Sequence, residues 1–466
     1  MPAGQLPDGA RRALLLGGVA AASALALSPM GRLLANAGAP LRHAAGYGPL
    51  QPVRDRNTGL PLLWLPRGFE YTSFGWSGEP MADGTPTPGA HDGMGIVRSE
   101  GHVLTLVRNH ELVRADGGFG PLAARYDRDC AGGTVTLRFD TAAGKLLESR
   151  PSLSGTLQNC SGGVTPWGSW LSCEELVSAA GLEVRRGERS ARLERDHGFV
   201  FEVPADGISD ARPLTGLGQF RHEAAVVHAA SGAVYLTEDM QPAAGFYRFL
   251  PSTPGRLGAG GRLQMLQALG HPDLRRGARA VGAMAVRWID IDEPARGVTA
   301  DGDIRGVQAQ GLAQGATSFS RLEGCFASDD EVFFTSTDGG DAACGQVFAY
   351  HVDRQELRLL FESPSPGVLD YPDNVCLGPR GGLLLCQDSK GPVQRLHGLS
   401  ADGALFAFAR NGVVLDGSEG RGPAGDYRGA EWAGACFSGD GRWLFANIYR
   451  PGFSVAISGP WGSGLL

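Results

Sequence analysis

The feature that most restricts this chain is a rhythm of short apolar or alternating runs, each cut off by glycine, aspartate or serine before a helix could form. HVLTLVRNHE (102–111), GTVTLRFD (133–140), SWLSCEE (169–175), GFVFEV (198–203), AAVVHAASGAVYLTED (224–239) and FYRFLP (246–251) read as strands and hairpins. The rhythm resumes at EVFFTSTDGG (331–340), QVFAYHVDRQELRLLFES (346–363), NVCLGPRGGLLLCQD (374–388), ALFAFARN (404–411) and the run from Ala435 to Tyr449. Tight turns are marked by Ala230-Ser231-Gly232, Asp353-Arg354-Gln355, Pro379 to Gly382 and Ser438 to Gly441. With 71 Gly, 29 Pro and only 20% charged residues, long surface helices are disfavoured. An all-β chain of this length must hide its sheet edges, and radial repetition of hairpins does so, which predicts a β-propeller. Blades of roughly 40–50 residues fit about six times into the chain, so a six-bladed propeller is expected over 45–466, with paired β-sandwiches as the alternative. Residues 256–316, rich in Gly, Arg and Ala, read as an insertion with one short helix around Arg275 to Trp288.

The chemistry concentrates in NCSGGVTPWGSWLSCEE (159–175), which combines a thiol, adjacent acids and a Gly-Gly turn. A strand by itself needs none of these, whereas a site for a metal between hard and soft asks for such a mixture. A turn leading into a Trp-rich core strand, with Cys160 and Cys173 merely buried, explains the stretch about equally well. Other strand ends decide the matter. Asn109-His110-Glu111, His222-Glu223, Glu238-Asp239, Glu323, Asp373-Asn374 and Gln387-Asp388 each put an acid or amide where a strand gives way to a turn. In a propeller such ends converge on the axial mouth, and converging carboxylates repel unless cations lie among them. Oxygen ligands suit calcium or ferric iron, and a thiolate suits a transition metal such as iron. His110 and His222 taken alone are better read as hydrogen-bonded structural residues.

The net charge of −7 gives no electrostatic footprint for nucleic acid. Arg11 and Arg12 precede LLLGGVAAASALAL, too short to span a bilayer, and Ala35-Asn36-Ala37 offers a cleavage site, so residues 1–37 read as a signal segment for the twin-arginine (Tat) export machinery. The mature chain is expected in the periplasm or secreted, as a monomer without stable membrane insertion. Eight cysteines at irregular spacing, without a C-x-x-C, exclude a zinc ribbon and do not amount to a disulfide scaffold. There is no G-x-S-x-G, and no Ser/His/Asp triad is evident.

NCSGGVTPWGSWLSCEE, FRHEAAVV (220–227), YLTED followed by FYRF, RLEG (321–324), PDN (372–374) and the ending FSGDGRWLFANIYRPG with GPW resemble the PhoX-type alkaline phosphatases and their relatives, over about residues 45 to 462. The resemblance implies a six-bladed propeller, exported by the Tat route, that hydrolyses phosphate monoesters with two ferric ions and calcium. It makes Cys160, Glu174, Glu223 and Glu323 the iron ligands, and Glu111, Glu175, Asp239 and Asp373 calcium or outer ligands. Arg321 becomes the phosphate-contacting arginine, assisted by Asn109. The chain is shorter than the phosphatases of that family. Two other readings therefore stand beside a phosphatase: a propeller of the same superfamily keeping metals for structure or ligand binding, and a lactonase-like enzyme with calcium alone.

Overall fold

The computed structural model describes residues 42–113, 117–186, 189–463 and 465–466. The signal segment, with Arg11, Arg12 and Ala35 to Ala37, lies outside these residues.

Among the described residues, antiparallel strands succeed one another in a ring of six sheets, with two short two-stranded ribbons, Glu183–Arg186 with Arg189–Arg192 and Val414–Leu415 with Gly425–Asp426, beside it. The first comprises His91–Glu100, Val103–His110, Gly132–Asp140 and Lys145–Thr156. The second comprises Asn159–Val164, Ser169–Glu174 and Val200–Pro204. The third runs from His222–Val227 through Val234–Glu238 and Phe246–Pro251 to Gly261–Ala268, and the fourth from Leu322–Ala327 through Glu331–Ser336 and Gln346–His351 to Glu356–Glu362. Met284–Asp290 pairs with the last strand of each, joining these two sheets at their outer edges. The fifth sheet is Pro372–Leu377, Leu383–Gln387, Arg395–Leu399 and Ala404–Asn411, extended by Leu63–Pro66 and Leu50–Val53. In the sixth, Trp432–Phe437, Trp443–Ile448 and Phe453–Ser458 are completed by Glu70–Phe74, so a strand from early in the chain closes the last sheet. The first strand of each sheet packs beside the first strand of the next, and that of the sixth returns to the first. This closed ring is a β-propeller.

Strands here are buried on both faces because each sheet is covered by its two neighbours. Glu331–Ser336 has the β-branched and aromatic residues of such a strand, and all of it is buried. Phe246 of the third sheet stacks on Phe334 of the fourth at 4.1 Å between ring centres, and Phe334 on its fourth-sheet neighbour Phe348 at 5.3 Å. Phe74, Phe139 and Phe445 fill the gap between the sixth and first sheets. Such pairs add about 0.5–1.5 kcal/mol each beyond burial.

At the axis there is less room. A Cβ on Gly93 would lie 2.5 Å from the Cα of Ser161, one on Gly163 2.2 Å from the oxygen of Ala225, and one on Gly324 2.6 Å from the Cα of Asn374. Glycine in the innermost strands lets neighbouring backbones touch.

The segment read as an insertion with a helix near Arg275 to Trp288 is built differently. Gly261–Ala268 is a strand of the third sheet, and Met284–Asp290 is also a strand, its alternating MAVRWID side chains pairing between two sheets. The α-helix of this region is Gly306–Ala313. All eight cysteines are unpaired, and Cys376 lies across from Leu384 rather than Cys386. Among the described residues no helix is long and apolar enough to cross a membrane.

Candidate metal centre

One local arrangement recurs in all six sheets at the same end of the ring. The residue just before the innermost strand accepts a backbone hydrogen bond from the residue just after the second strand. The pairs are Glu111 N to Ala90 O at 2.9 Å, Glu175 N to Gln158 O at 3.0 Å, Asp239 N to Arg221 O at 3.1 Å, Thr337 N to Arg321 O at 2.8 Å, Asp388 N to Tyr371 O at 3.0 Å and Tyr449 N to Glu431 O at 3.3 Å. Beside each of these bonds the strand pairing slips its register, between His91 and Met94, Ser172 and Glu174, His222 and Ala225, Leu322 and Cys325, Pro372 and Val375, and Ala433 and Cys436. A bulge turns a side chain out of the pleat. Here it serves Asp92, Cys160, Glu223, Glu323 and Asp373. Ala90, Gln158, Arg321 and Tyr371, each preceding an innermost strand, hold φ values of 52°, 52°, 41° and 55°. Non-glycine residues adopt that left-handed region at a cost of about 1–3 kcal/mol each, and such strain gathers at functional sites.

One to three positions of each sheet thus line one cavity of about 220 Å³. The innermost strands supply Asp92, Cys160, Glu223, Glu323 and Asp373; the ends of the second strands supply Glu111, Glu175, Asp239 and Asp388; the residues before the innermost strands supply Gln158, Arg221, Arg321 and Glu431. Side-chain donors fall into four overlapping groups that could each grip one ion: Cys160 with Glu175 and Glu223, Glu223 with Glu323 and Asp373, Asp92 with Glu111 and Glu431, and Asp373 with Asp388 and Glu431. The donors of each group lie within 4.8 Å of one another.

Nine carboxylates face two arginines in this space. Burial, and then each other's charge, pushes Asp92, Glu175, Glu223, Glu323 and Glu431 well above the usual carboxylate range, and Asp373 up to about 8. Burial, followed by Glu223 and Glu175, also raises the Cys160 thiol. Arg221 pairs with Glu175, and Arg321 with both Asp239 and Glu323. Gln158 donates to Glu111 at 3.1 Å and to Glu175 at 2.7 Å. So much negative charge under so little cationic cover is the environment that multivalent cations stabilise, and thiolate next to carboxylates is a donor set for a transition metal.

Of the residues expected at the site, Cys160, Glu111, Glu175, Glu223, Asp239, Glu323, Asp373 and Arg321 therefore line one cavity. Glu174 does not. Successive strand side chains point to opposite faces, so the residue before Glu175 faces away. Its carboxylate accepts from the amides of Leu157, Gly198 and Phe199 and from His197. Asn109 also stays outside the cavity. It donates to the carbonyls of Cys160 and Ser161 at 3.1 and 2.7 Å and accepts from Trp170 Nε1 and Ser172 Oγ at 2.9 Å each. It fixes the bulged backbone that carries Cys160 and has no free edge for a substrate. His110 and His222 are buried and bonded to carbonyl oxygens of Gly89 and Gly218.

Asp92, Gln158, Arg221 and Glu431 are cavity residues that strand-end acidity does not pick out, and Asp388 stands out in the sequence only as a strand end. A signal existed. Aligning the entries to the innermost strands, AHDG, QNCS, RHEA, RLEG, YPDN and EWAG, places Asp92, Arg221 and Glu431 in register with Gln158, Cys160, Glu223, Arg321, Glu323 and Asp373.

The sequence matches the model of the family described as alkaline phosphatase PhoX over residues 45–137 and 123–452. A comparison with curated proteins finds no match. Among solved structures, the periplasmic gluconolactonase PpgL of Pseudomonas aeruginosa is 14% identical, with 71% of this chain and 86% of that one covered and a TM-score of 0.35. The Cps50 (Swd1) β-propeller domain of Myceliophteria thermophila is 10% identical, with 78% and 81% covered and a TM-score of 0.33. At that similarity neither bears on what the chain does. The family match spans the strands that build the cavity from first to last, and the chain belongs to the PhoX alkaline phosphatase family.

Proposed function

We propose that this protein is an exported, metal-dependent phosphatase that hydrolyses small phosphate esters at the acid-lined end of its propeller. The observation that carries the reading is the gathering of nine carboxylates and the Cys160 thiol around one cavity in a chain of this family. Cys160, Glu175 and Glu223 would hold ferric iron, because that group includes the thiol, and Glu323 and Asp373, which share Glu223 with it, would hold the neighbouring ion. Asp92, Glu111, Asp388 and Glu431, with oxygen donors only, would hold calcium. Bound there, such cations supply Lewis-acid polarisation of the phosphoryl group and neutralise its charge.

The chain's own residues do the positioning. Asp239 and Glu323 take the Nε and one Nη of Arg321 and fix its plane at the cavity wall, so a phosphate meets its remaining nitrogen rather than an open fork. Arg221, held by Glu175, adds a second cation on the same wall. The bulges and the left-handed residues before the strands hold the acids in place whether or not substrate is present.

Elemental analysis of protein purified from its native exporter, with hydrolysis of a chromogenic phosphate monoester before and after chelation, tests this. Iron and calcium with chelator-sensitive turnover are expected. Both metals without turnover on any phosphate ester would leave a metal-keeping propeller of another activity, and calcium alone would leave the lactonase-like alternative.

A further inference from the structure

On the far side of Glu175, its neighbour Glu174 belongs to a second buried group. Its carboxylate accepts from His197 Nδ1 at 2.6 Å. The other ring nitrogen, Nε2, faces Asp127 Oδ2 at 3.4 Å and Cys130 Sγ at 3.8 Å. Asp127, Glu174 and His197 are wholly buried, Cys130 is 1% exposed, and Cys130 is packed among Leu157, Leu193 and Leu176. The loop of Asp127 is pinned to the last strand of the first sheet by amide bonds from Tyr126 to Ser154 and from Asp127 to Gly155, both 2.9 Å. Only glycine fits at 155, since φ is 75° and a Cβ would sit 2.3 Å from the Asp127 oxygen.

Hydrogen bonding leaves the contact between His197 Nε2 and Asp127 unexplained. Nδ1 has a short, charge-assisted partner, whereas Nε2 stands 3.4 Å from Asp127 Oδ2, beyond an ordinary N–H···O contact of about 2.7–3.2 Å, and that oxygen already accepts from the amides of Glu194 and Arg195 at 2.7 and 3.2 Å. The separations of Nε2 from Asp127 and Cys130 do match a shared cation. Tetrahedral zinc, with bonds of about 2.3 Å to sulfur and about 2.0–2.1 Å to nitrogen and oxygen, sets sulfur and nitrogen about 3.6 Å apart and nitrogen and oxygen about 3.3 Å apart. A carboxylate on the opposite ring nitrogen is also the usual outer partner of a metal-bound histidine, fixing its tautomer and orientation.

We propose that Asp127, Cys130 and His197 together hold one divalent cation of the zinc type, its fourth position left to water, oriented by Glu174 and separate from the central cavity. The bound cation ties the 125–130 loop and the segment around His197 to the strand end from which Glu175 enters the central site.

The test is cobalt(II) and zinc binding to the full chain carrying Cys160→Ser, which removes the central thiol. One equivalent of cobalt should give the intense near-ultraviolet absorption of a thiolate ligand together with four-coordinate visible bands. Adding Cys130→Ser or His197→Asn should abolish the thiolate band and lower zinc affinity by more than about 100-fold, beyond the effect of losing an outer partner. Folded Cys160→Ser protein without a thiolate band, or a band that survives Cys130→Ser, overturns the proposal. Should the double variants fail to fold, X-ray absorption of zinc in the Cys160→Ser protein decides: a sulfur at about 2.3 Å supports the site, and a shell of nitrogen and oxygen alone refutes it.

Discussion

Arg321 meets Asp239 edge to edge, with Nε 2.9 Å from Oδ1 and an Nη nitrogen 3.2 Å from Oδ2, while the same guanidinium reaches Glu323. Burial works against its charge, but Glu323 and Asp239 outweigh that and raise its pKa. The arginine that the family resemblance assigns to phosphate contact is thus first a clamp between two acids of adjoining sheets.

A lysine cannot satisfy both clamps, because a single ammonium lacks the planar pair of donors. Arg321→Lys is expected to lower kcat/KM for a phosphate monoester by about 10-fold or more, and Arg321→Ala further, since breaking a buried pair costs about 3–5 kcal/mol. Steady-state kinetics with the melting temperature measured alongside checks this; unchanged kcat/KM in Arg321→Lys removes the clamp from the mechanism.

Cys160→Ser and Glu323→Gln each take one donor from a different group of the cavity. Metal content should fall in both, and hydrolysis by more than the roughly 10–100-fold typical of changing an outer partner of a ligand. Full metal occupancy in either variant, read by elemental analysis, would contradict the assignment.

Without metal, pH should act on stability in an unusual direction. Asp373 is raised to about 8 by burial and then Asp388, and Asp92, Glu223 and Glu323 are raised as well. Groups whose pKa is higher folded than unfolded add stability that is complete below about pH 4, the unfolded value, and is lost as pH rises through the folded value. Chelated protein should therefore melt progressively lower from about pH 5 to pH 8, and restoring metal should flatten the slope. Calorimetry on both forms tests it, and equal slopes would count against cations in the cavity.

Gly324 follows Glu323 and touches the backbone of Asp373, Asn374 and Val375 at 2.6 to 2.7 Å from where a Cβ would stand. Gly324→Ala should push two innermost strands apart, costing about 1–3 kcal/mol by overpacking and lowering metal content with it. A variant with the parent's melting temperature and metal would show that the ring tolerates a wider axis.

Asn109→Ala separates support from catalysis. It leaves the buried carbonyls of Cys160 and Ser161 without this donor, at about 1–3 kcal/mol each. The melting temperature should drop and metal should be lost more readily, yet with excess metal kcat should recover. A kcat that stays low at full occupancy would place Asn109 in the chemistry.

Much of this molecule is legible in its sequence. Alternation and glycine-bounded runs gave the strands, because a period of two and a turn are local properties, and the crowd of strand-end acids pointed to one mouth. Met284–Asp290 escaped because it bridges the strand before it, Gly261–Ala268, and one far along the chain, Glu356–Glu362, and no local signal names such a pair of partners.

Within the site, sequence determined which residue types were available, while the fold decided which of two neighbours is used. Glu174 and Glu175 are chemically the same. A strand sends them to opposite faces, and only the slipped pairing of Ser172 and Glu174 with the first strand of the sheet shows which face is the axis. Asp92, Asp388 and Glu431 join the cavity for the same reason: bulges, left-handed entry residues and closure of the ring bring together side chains hundreds of positions apart, and those arise from packing between sheets rather than from the preferences of any one segment.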